Sequence, residues 1–454
     1  MPMGEPEAHG VLLHLRLAMS QSNGVMLMQL PRFRDLHPSA RRVLGAAYKA
    51  AAPHPIYAVG GYVRDLLLGL RTVDIDLVVE GDAVAVARRL GQYLKAVVIP
   101  HPRFRTARLR LAEGITLDLA TARSERYPQS GALPEVCPAS LREDLARRDF
   151  SINAMAARLG RNRFGPLIDP LGGAEDLRRG RIRVLHDSSF IDDPTRIFRA
   201  ARFEGRYRFA FARSTRRLIK AAVDGRVMRN VAGSRIFTEL LLITKEPSAP
   251  RIIRRLGDLG VLASVHPKLA WLPAVFGLLE RVRRVLDRRR PMPLLQSRAP
   301  GEAYLLGMLY GLHPKSVASV TRRLDPPPKM TAKLAADLIA CRRTARRLAR
   351  AVDLRQSRIA RLLDPLTPEA RIMVLAILVR GSRREAVSKY LTNSWRIVPM
   401  LRGEDLRRLG FRPGPIYREI LAALRSARLD GQLHTRPDEV SFVLRRFAVA
   451  SLQG

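Results

Sequence analysis

Cysteine is nearly absent from this sequence of 454 residues. Cys137 and Cys341 are its two cysteines, and neither belongs to a CxxC pair, so a disulfide framework and a thiolate zinc site are both excluded. Long hydrophobic runs are also missing, since no stretch approaches the roughly 18 apolar residues that a membrane-spanning helix needs. The N-terminal segment lacks the basic start and apolar block of a signal peptide. We therefore expect a cytoplasmic protein that has no membrane partner.

Acidic residues are scarce relative to basic ones. Asp and Glu total 41 whereas Lys and Arg total 80, which gives a net charge of +39. A surface of this sign attracts polyanions and releases their counterions, so nucleic acid is the expected partner. A genome rich in G and C would explain the preference for arginine over lysine, but it would not explain the excess of bases over acids.

The order of predicted elements divides the chain. Strand patterns alternate with helices up to about residue 160, and helical patterns dominate after Asp169. These patterns predict a mixed α/β head followed by an all-α neck, body and tail. Several methionines precede the first helical pattern, and we expect the true start to lie near Met26 or Met28. The expected parts are a disordered extension at 1–30, a head at 31–160, a neck at 161–250, and a helical body and tail at 251–454.

Two aspartates lie inside the predicted strand that runs from Val73 to Val79. Asp74 and Asp76 are two positions apart, so their side chains share one face of the strand, with Cα atoms roughly 6.6 Å apart. Such carboxylates beside an apolar strand are costly unless a cation lies between them, and a divalent metal ion is the natural one. Asp118, on a later strand, is the candidate for a third catalytic carboxylate. The alternative is an edge strand whose carboxylates are simply solvated.

A pair of glycines precedes these aspartates. Gly60 and Gly61 end one predicted strand and open a helix, an arrangement in which backbone N–H groups bind phosphate. Arg64 follows one helical turn later and can add a charge-assisted contact to a phosphate oxygen. The alternative is an ordinary Gly-Gly turn, but a phosphate-binding turn shortly before a carboxylate pair is much less expected by accident.

Three ordered motifs resemble those of the class II tRNA nucleotidyltransferase and bacterial poly(A) polymerase family, a branch of the polymerase-β-like nucleotidyltransferases. They are GGYVRD at 60–65 with DID at 74–76, RRDFSINAMA at 147–156, and DDPTRIFRAARF at 192–203. The resemblance implies that Asp74 and Asp76 hold two magnesium ions. It also implies that an RNA 3′-hydroxyl attacks the α-phosphorus of CTP or ATP and that pyrophosphate leaves.

The second motif implies contacts to the nucleotide. By the resemblance, Arg148 contacts phosphate, while Asp149 and Asn153 shape the sugar site and favour ribose. The alternative for the basic pair at the start of this motif is a solvated start of a helix.

The third motif carries arginines at helical spacing. Arg196, Arg199 and Arg202 recur every three residues and share one face of the predicted helix. Next to them, Asp193 offers an acceptor to a base amino group, while a guanidinium donates to ring nitrogens or carbonyl oxygens. The resemblance implies that Asp193 and Arg196 select CTP and ATP without a template and that Arg199 and Arg202 support the nucleotide. A basic helix with a solvated arginine stripe is the alternative.

Three further features bear on these motifs. The family's usual Glu-Asp pair is Asp192-Asp193 in this sequence, a mild departure. Arg235 and Glu239, four residues apart on the next helix, are expected to brace the base-reading helix. Residues 121–140 are polar and rich in proline and glycine, so we expect a mobile loop. In the family, a loop here helps to switch from C to A addition, and its undiminished length favours an enzyme that can add A.

The expected function is CCA addition to the 3′ end of tRNA, with magnesium as cofactor and no protein partner. A poly(A) polymerase, or an enzyme that adds only CC or only A, uses the same motifs and is the runner-up. A non-catalytic RNA-binding protein is the alternative from a different class. Such a protein would be expected to lose Asp74 or Asp76, and both are present.

Overall fold

The computed structural model describes residues 29–111, 114–270 and 273–447. The extension expected at 1–30 lies almost entirely outside these residues, as does the expected start near Met26 or Met28. The described chain divides into two units, residues 1–267 and 268–454 in the numbering of the full chain. The four-part division expected from the sequence stays a prediction.

The first unit is built on a mixed sheet. Within the described residues its strands are β1 (Ile56–Val59), β2 (Asp74–Val79), β3 (Val97–His101), β4 (Thr106–Arg110), β5 (Thr116–Thr121), β6 (Arg123–Arg126), β7 (Glu135–Pro138), β8 (Ala156–Gly160), β9 (Arg163–Ile168), β10 (Arg181–Ile182) and β11 (Ala210–Phe211). Seven of these described strands form one sheet in the order β3-β4-β5-β2-β1-β8-β9. Only β2 and β5 are parallel neighbours in it, and the other pairs are antiparallel.

The helices of the first unit alternate with the strands along the chain. They are α1 (Pro38–Ala51), α2 (Gly60–Leu67), α3 (Ala83–Leu94), α4 (Leu141–Ala146), α5 (Gly173–Arg178), α6 (Ser189–Asp192), α7 (Arg196–Tyr207), α8 (Arg213–Asp224), α9 (Gly233–Thr244), α10 (Ala249–Asp258) and α11 (Val261–Val265). Several begin at side chains that satisfy free backbone N–H groups. Asp82 accepts from the N–H groups of Val84 and Ala85, and Ser140 with Glu143 forms a capping box at α4. The strand-rich head and the helical remainder expected from the sequence are confirmed.

The segment expected as a loop has a defined structure. Strands β6 and β7 pair antiparallel, with Arg123 opposite Pro138 and Arg126 opposite Glu135, and so form a hairpin outside the main sheet. The expectation of a loop throughout 121–140 is therefore wrong for 123–126 and 135–138, which are strands, while 127–134 connect them. Proline is tolerated because β7 ends at Pro138 and has β6 as its sheet partner, which leaves its other edge free of ladder hydrogen bonds.

The second unit is helical throughout its described residues. Its helices are α12 (Pro273–Asp287), α13 (Glu302–Tyr310), α14 (Pro314–Leu324), α15 (Pro328–Ala349), α16 (Gln356–Leu363), α17 (Pro368–Ile377), α18 (Ser382–Thr392), α19 (Gly403–Arg408), α20 (Pro415–Leu429) and α21 (Arg436–Phe447). Its C-terminal part has its own apolar cluster, which includes Leu406, Ile420 and Leu424. In the parts of both units that the structure describes, no helix is both long and apolar enough to cross a membrane.

Candidate active site

The carboxylates predicted to be catalytic lie on two neighbouring strands. Asp76 on β2 is directly beside Asp118 on β5 in the parallel register, and Asp74 is beside Thr116. Since residues in register point to the same face of a sheet, Asp76 and Asp118 form an adjacent pair of acidic groups. Burial raises the pKa of Asp76 to about 6, although the positive charge of Arg148 opposes this shift. The site thus holds a carboxylate that a nearby cation would stabilise in its ionised form.

Asp118 already has a positive partner in this structure. Arg108 on β4 donates from Nε to Oδ1 at 2.7 Å and from Nη2 to Oδ2 at 2.8 Å. In the described part of the chain, no three or more His, Cys, Asp or Glu side chains are arranged to hold one metal ion. Asp76 and Asp118 nevertheless offer adjacent oxygen donors, which Mg²⁺ prefers, and Asp76 lacks a favourable environment for its charge. The residues therefore fit magnesium, provided that Asp118 leaves Arg108.

The two glycines bring the backbone close to these side chains. Gly60 has a φ of +64°, and a Cβ at this position would lie 2.5 Å from Nη1 of Arg148. A Cβ on Gly61 would lie 3.3 Å from Oδ2 of Asp76. The left-handed conformation and the short approach together explain why glycine is suited to the first position of this turn.

Arg64 is less available for phosphate than the sequence suggested. Its guanidinium is buried and donates from Nη1 to Oδ1 of Asn153 at 2.5 Å and from Nε to Oδ1 of Asp65 at 2.9 Å. It also lies over the rings of Phe203 and Tyr207, at 5.2 and 4.9 Å from their centroids. Arg64 thereby joins α2 to Asn153 and to α7.

A buried aspartate holds the basic pair of the second motif. Asp144, which is fully buried, accepts from Nη2 of Arg147 at 2.6 Å and from Nη2 of Arg148 at 2.9 Å. Nη1 of Arg147 also donates to Oε1 of Glu125 on the hairpin, at 2.6 Å. These contacts fix both arginines at the wall of the site, and Asp144 was not singled out from the sequence. Its i, i+3 and i, i+4 spacing to the two arginines is a signal that could have identified it.

Asp149 links the second motif to α7. Its Oδ1 accepts from Nδ2 of Asn153 at 3.0 Å, and its Oδ2 accepts from Nε of Arg199 at 2.7 Å. Burial alone would raise the pKa of Asp149, but the charge of Arg199 and these hydrogen bonds lower it to about 2. Asp149 is therefore ionised at any physiological pH and holds Arg199 in place.

Of the residues expected to read the base, Asp193 directly follows α6 and Arg196 is the first residue of α7. Asp193 accepts from Oγ1 of Thr195 at 2.6 Å and from Nη2 of Arg235 at 2.8 Å. Arg196 is buried, and its Nη1 donates to Oγ of Ser189 at 2.8 Å. Neighbouring side chains thus hold both Asp193 and Arg196 in one orientation.

Helix α9 contacts this region in two places. Besides its bond to Asp193, Arg235 donates from Nη1 to the carbonyl of Gly131 at the tip of the hairpin, at 2.8 Å. Glu239 lies 3.9 Å from Nη2 of Arg202. Glu239 thus contacts α7 itself, as expected, while Arg235 contacts Asp193 just before α7 and also the hairpin.

Most of these groups line one cavity of about 920 Å³. Every residue that the sequence predicted for the site lines this cavity except Gly60 and Asp74. Gly60 lies beneath Arg148, and Asp74 is at the exposed start of β2. The cavity also includes residues that the sequence did not single out, among them Arg108, Glu125 and Tyr127. Burial raises the pKa of Tyr127 to about 12, so this phenol stays protonated, and it donates its hydrogen to Oε2 of Glu125 at 3.0 Å.

Comparison with known proteins agrees with this architecture. Residues 56–183 match the Poly A polymerase head domain, and residues 208–272 match a domain described as a probable RNA and SrmB-binding site of polymerase A. An A-adding tRNA nucleotidyltransferase of Halalkalibacterium halodurans is 32% identical over 396 residues, which are 86% of this chain and 88% of that protein. The chain belongs to the tRNA nucleotidyltransferase family.

Two other members of the tRNA nucleotidyltransferase family add to this finding. An A-adding tRNA nucleotidyltransferase of Geobacter sulfurreducens is 38% identical over 395 residues, which are 86% of this chain. The chain spans only 45% of that relative's length. A Thermotoga maritima CCA-adding enzyme solved with tRNA superposes with a TM-score of 0.71 at 31% identity, covering 93% of this chain and 98% of that one.

Proposed function

We propose that the protein transfers AMP from ATP to the 3′-hydroxyl of a tRNA that ends in CC. The observation that carries this proposal is the single cavity that Asp76 and Asp118 share with Asp193 and Arg196. Acidic groups suited to metal-assisted phosphoryl transfer thus face the same space as groups suited to a base edge. The two sequence relatives described above are both named as A-adding, which favours adenine as the base.

The acidic pair would support the chemical step. Magnesium ions bound by Asp74, Asp76 and Asp118 would neutralise the triphosphate and favour ionisation of the attacking hydroxyl. Arg148 lies beside Gly60 and has its guanidinium anchored on Asp144. From that position it can hold a phosphate oxygen without a change of its own anchor.

The remaining cavity residues would orient the nucleoside. Asn153, held by Asp149 and Arg64, offers amide groups at the wall where a ribose would lie. Adenine presents an amino donor and the N1 acceptor on one edge. Asp193 can accept from the amino group while Arg196 donates to N1. A nucleobase with a carbonyl oxygen in place of the amino group would put two acceptors against each other, with no hydrogen between them.

Complete CCA addition is the second candidate, and it is the activity that the sequence motifs favoured. Cytosine also presents an amino group beside a ring acceptor, so Asp193 and Arg196 suit CTP as well as ATP. The similarity to the Thermotoga CCA-adding enzyme over nearly its whole length favours this candidate.

Single-nucleotide extension tests the proposal. Purified protein with Mg²⁺ is given CTP, ATP or both, and three acceptors: a tRNA ending at the discriminator base, a tRNA ending in CC, and an unstructured oligoribonucleotide. We expect one A on the CC-ended tRNA and no addition to the other two. Addition of C, C and A to the tRNA that ends at the discriminator base would establish complete CCA addition, the second candidate. Long A tails on the oligoribonucleotide would instead identify a poly(A) polymerase, and no incorporation would favour an RNA-binding protein.

A further inference from the structure

A row of charges crosses the central sheet beside the proposed metal site. Arg108 on β4 is directly opposite Asp118 on β5, and Asp118 is directly beside Asp76 on β2. Residues in register share a face, so one basic and two acidic side chains follow each other across three adjacent strands. Arg108 therefore stands on the far side of Asp118 from Asp76.

The contact between Arg108 and Asp118 occupies both carboxylate oxygens. Nε and Nη2 of the guanidinium donate to Oδ1 and Oδ2 at 2.7 and 2.8 Å, which is the bidentate geometry of arginine with a carboxylate. Asp76 and Asp74 also stabilise the charge of this guanidinium, because the pKa of Arg108 is raised by Asp118 first and by those two carboxylates to a smaller extent. The guanidinium of Arg108 is thus the cation bound to Asp118, whereas Arg148 is the cation that acts most strongly on Asp76.

This ion pair is open to exchange. The side chains of Arg108 and Asp118 are 47% and 43% exposed, whereas Asp149 in the neighbouring pair with Arg199 is 8% exposed. An exposed ion pair contributes little net free energy, so a competing cation of higher charge can displace it. Asp118 is then released without disruption of a buried network.

We propose that Arg108 is an exchangeable counter-cation, which holds Asp118 in place beside Asp76 until a divalent metal ion takes over the carboxylate. This inference rests on the proposed function, since it assumes that the acidic cluster binds metal. Arg108 is accordingly a positioning residue: it keeps Asp118 ordered and limits the repulsion among the carboxylates before metal binding. It also competes with the metal, so its removal should strengthen metal binding.

The neighbouring arginine on β4 provides a matched control. Arg110 is two residues from Arg108, points to the same face, and is exposed. It is opposite Thr116 instead of a carboxylate. Arg110→Gln therefore removes the same charge from the same strand without breaking an ion pair to Asp118.

Direct binding of Mn²⁺ to the full chain, followed by the electron paramagnetic resonance signal of free Mn²⁺, tests the proposal without any nucleotide. We expect the Kd for Mn²⁺ to fall about two- to fivefold in Arg108→Gln, the range that loss of an exposed ion pair allows. Arg110→Gln should change this Kd by a clearly smaller factor. Arg108→Lys, which keeps the charge but loses the fork, should lie between the wild type and Arg108→Gln.

Several results would overturn the inference. An unchanged or higher Kd in Arg108→Gln, with native circular dichroism, would mean that Arg108 does not compete for Asp118. An equal fall of the Kd for Mn²⁺ in Arg110→Gln would mean that the effect comes from the positive charge of β4 in general and not from the ion pair with Asp118. Failure of the wild type to bind Mn²⁺ would overturn the metal site and this inference together, whereas binding with unchanged affinity in Arg108→Gln would leave the metal site intact.

Discussion

Arg196 offers the clearest test of base selection, because the structure accounts for its donors. A guanidinium has five N–H donors. Three contacts are made by the Nη atoms, to Oγ of Ser189, to the carbonyl of Arg147, and at 3.4 Å to the hydroxyl of Tyr127. The other two donors, on Nε and Nη1, have no hydrogen-bond partner among the residues that the structure describes, so we expect them to be the ones that contact a base. Arg196→Lys keeps a positive charge but loses the planar fork, so it should lose discrimination between nucleotides.

The expected loss can be bounded. Asp193 and Arg196 would together make a two-point contact to one base edge, and such a contact contributes about 1–3 kcal/mol of discrimination. Loss of the arginine's part should therefore lower the preference for ATP over GTP or UTP by about 5- to 150-fold. Single-turnover incorporation of each nucleotide on CC-ended tRNA measures this ratio, and filter binding measures tRNA affinity, which should be unchanged. Arg208→Lys is the matched control, because Arg208 follows the last residue of the same helix and is exposed. An unchanged nucleotide preference in Arg196→Lys, or a loss confined to tRNA affinity, would refute the base-reading role.

Three further predictions concern the site and the second unit. Gly60→Ala should destabilise the protein by about 1–2 kcal/mol in urea unfolding, because alanine is strained at the φ of +64°. It should also slow nucleotide transfer, because the new methyl group displaces Arg148. Unchanged stability and rate would contradict both expectations. Asp149, with its pKa lowered to about 2, should stabilise the fold by about 2–2.5 kcal/mol above pH 4 and lose this contribution between about pH 4 and 2. The unfolding free energy of wild type minus that of Asp149→Asn should therefore shrink over that range, and a constant difference would be the contrary result. Glu439 is fully buried and pairs with an arginine, so Glu439→Ala should cost about 3–5 kcal/mol, against less than about 1 kcal/mol for the exposed Glu404→Ala.

The motifs predicted which side chains share a face of one strand or of one helix. The period of the strand placed Asp74 and Asp76 on one face, and the helical spacing placed Arg196, Arg199 and Arg202 together. The structure then brings most of the predicted residues to one cavity. These features were accessible because spacing along one element determines which side chains share a face.

Contacts between elements were not accessible in the same way. The pairing of Arg108 with Asp118 depends on the register of β4 and β5, which a single sequence does not fix. The burial of Arg64 against Phe203 and Tyr207 depends on the packing of α2 against α7. The hairpin was missed for a different reason, because the strand Arg123–Arg126 has no alternation of polar and apolar residues and the opposite strand ends in proline.

We infer that the acidic cluster of this cavity catalyses nucleotide addition to tRNA. Asp76→Asn is the decisive variant, since the substitution keeps the shape of the side chain and removes the charge next to Asp118. AMP incorporation on CC-ended tRNA in Mg²⁺ should fall by at least about 100-fold, more than for loss of a residue that only orients a metal ligand. The affinity for tRNA, measured on the same preparation, should be retained. Incorporation at the wild-type rate by the folded variant would contradict the assignment of the active site.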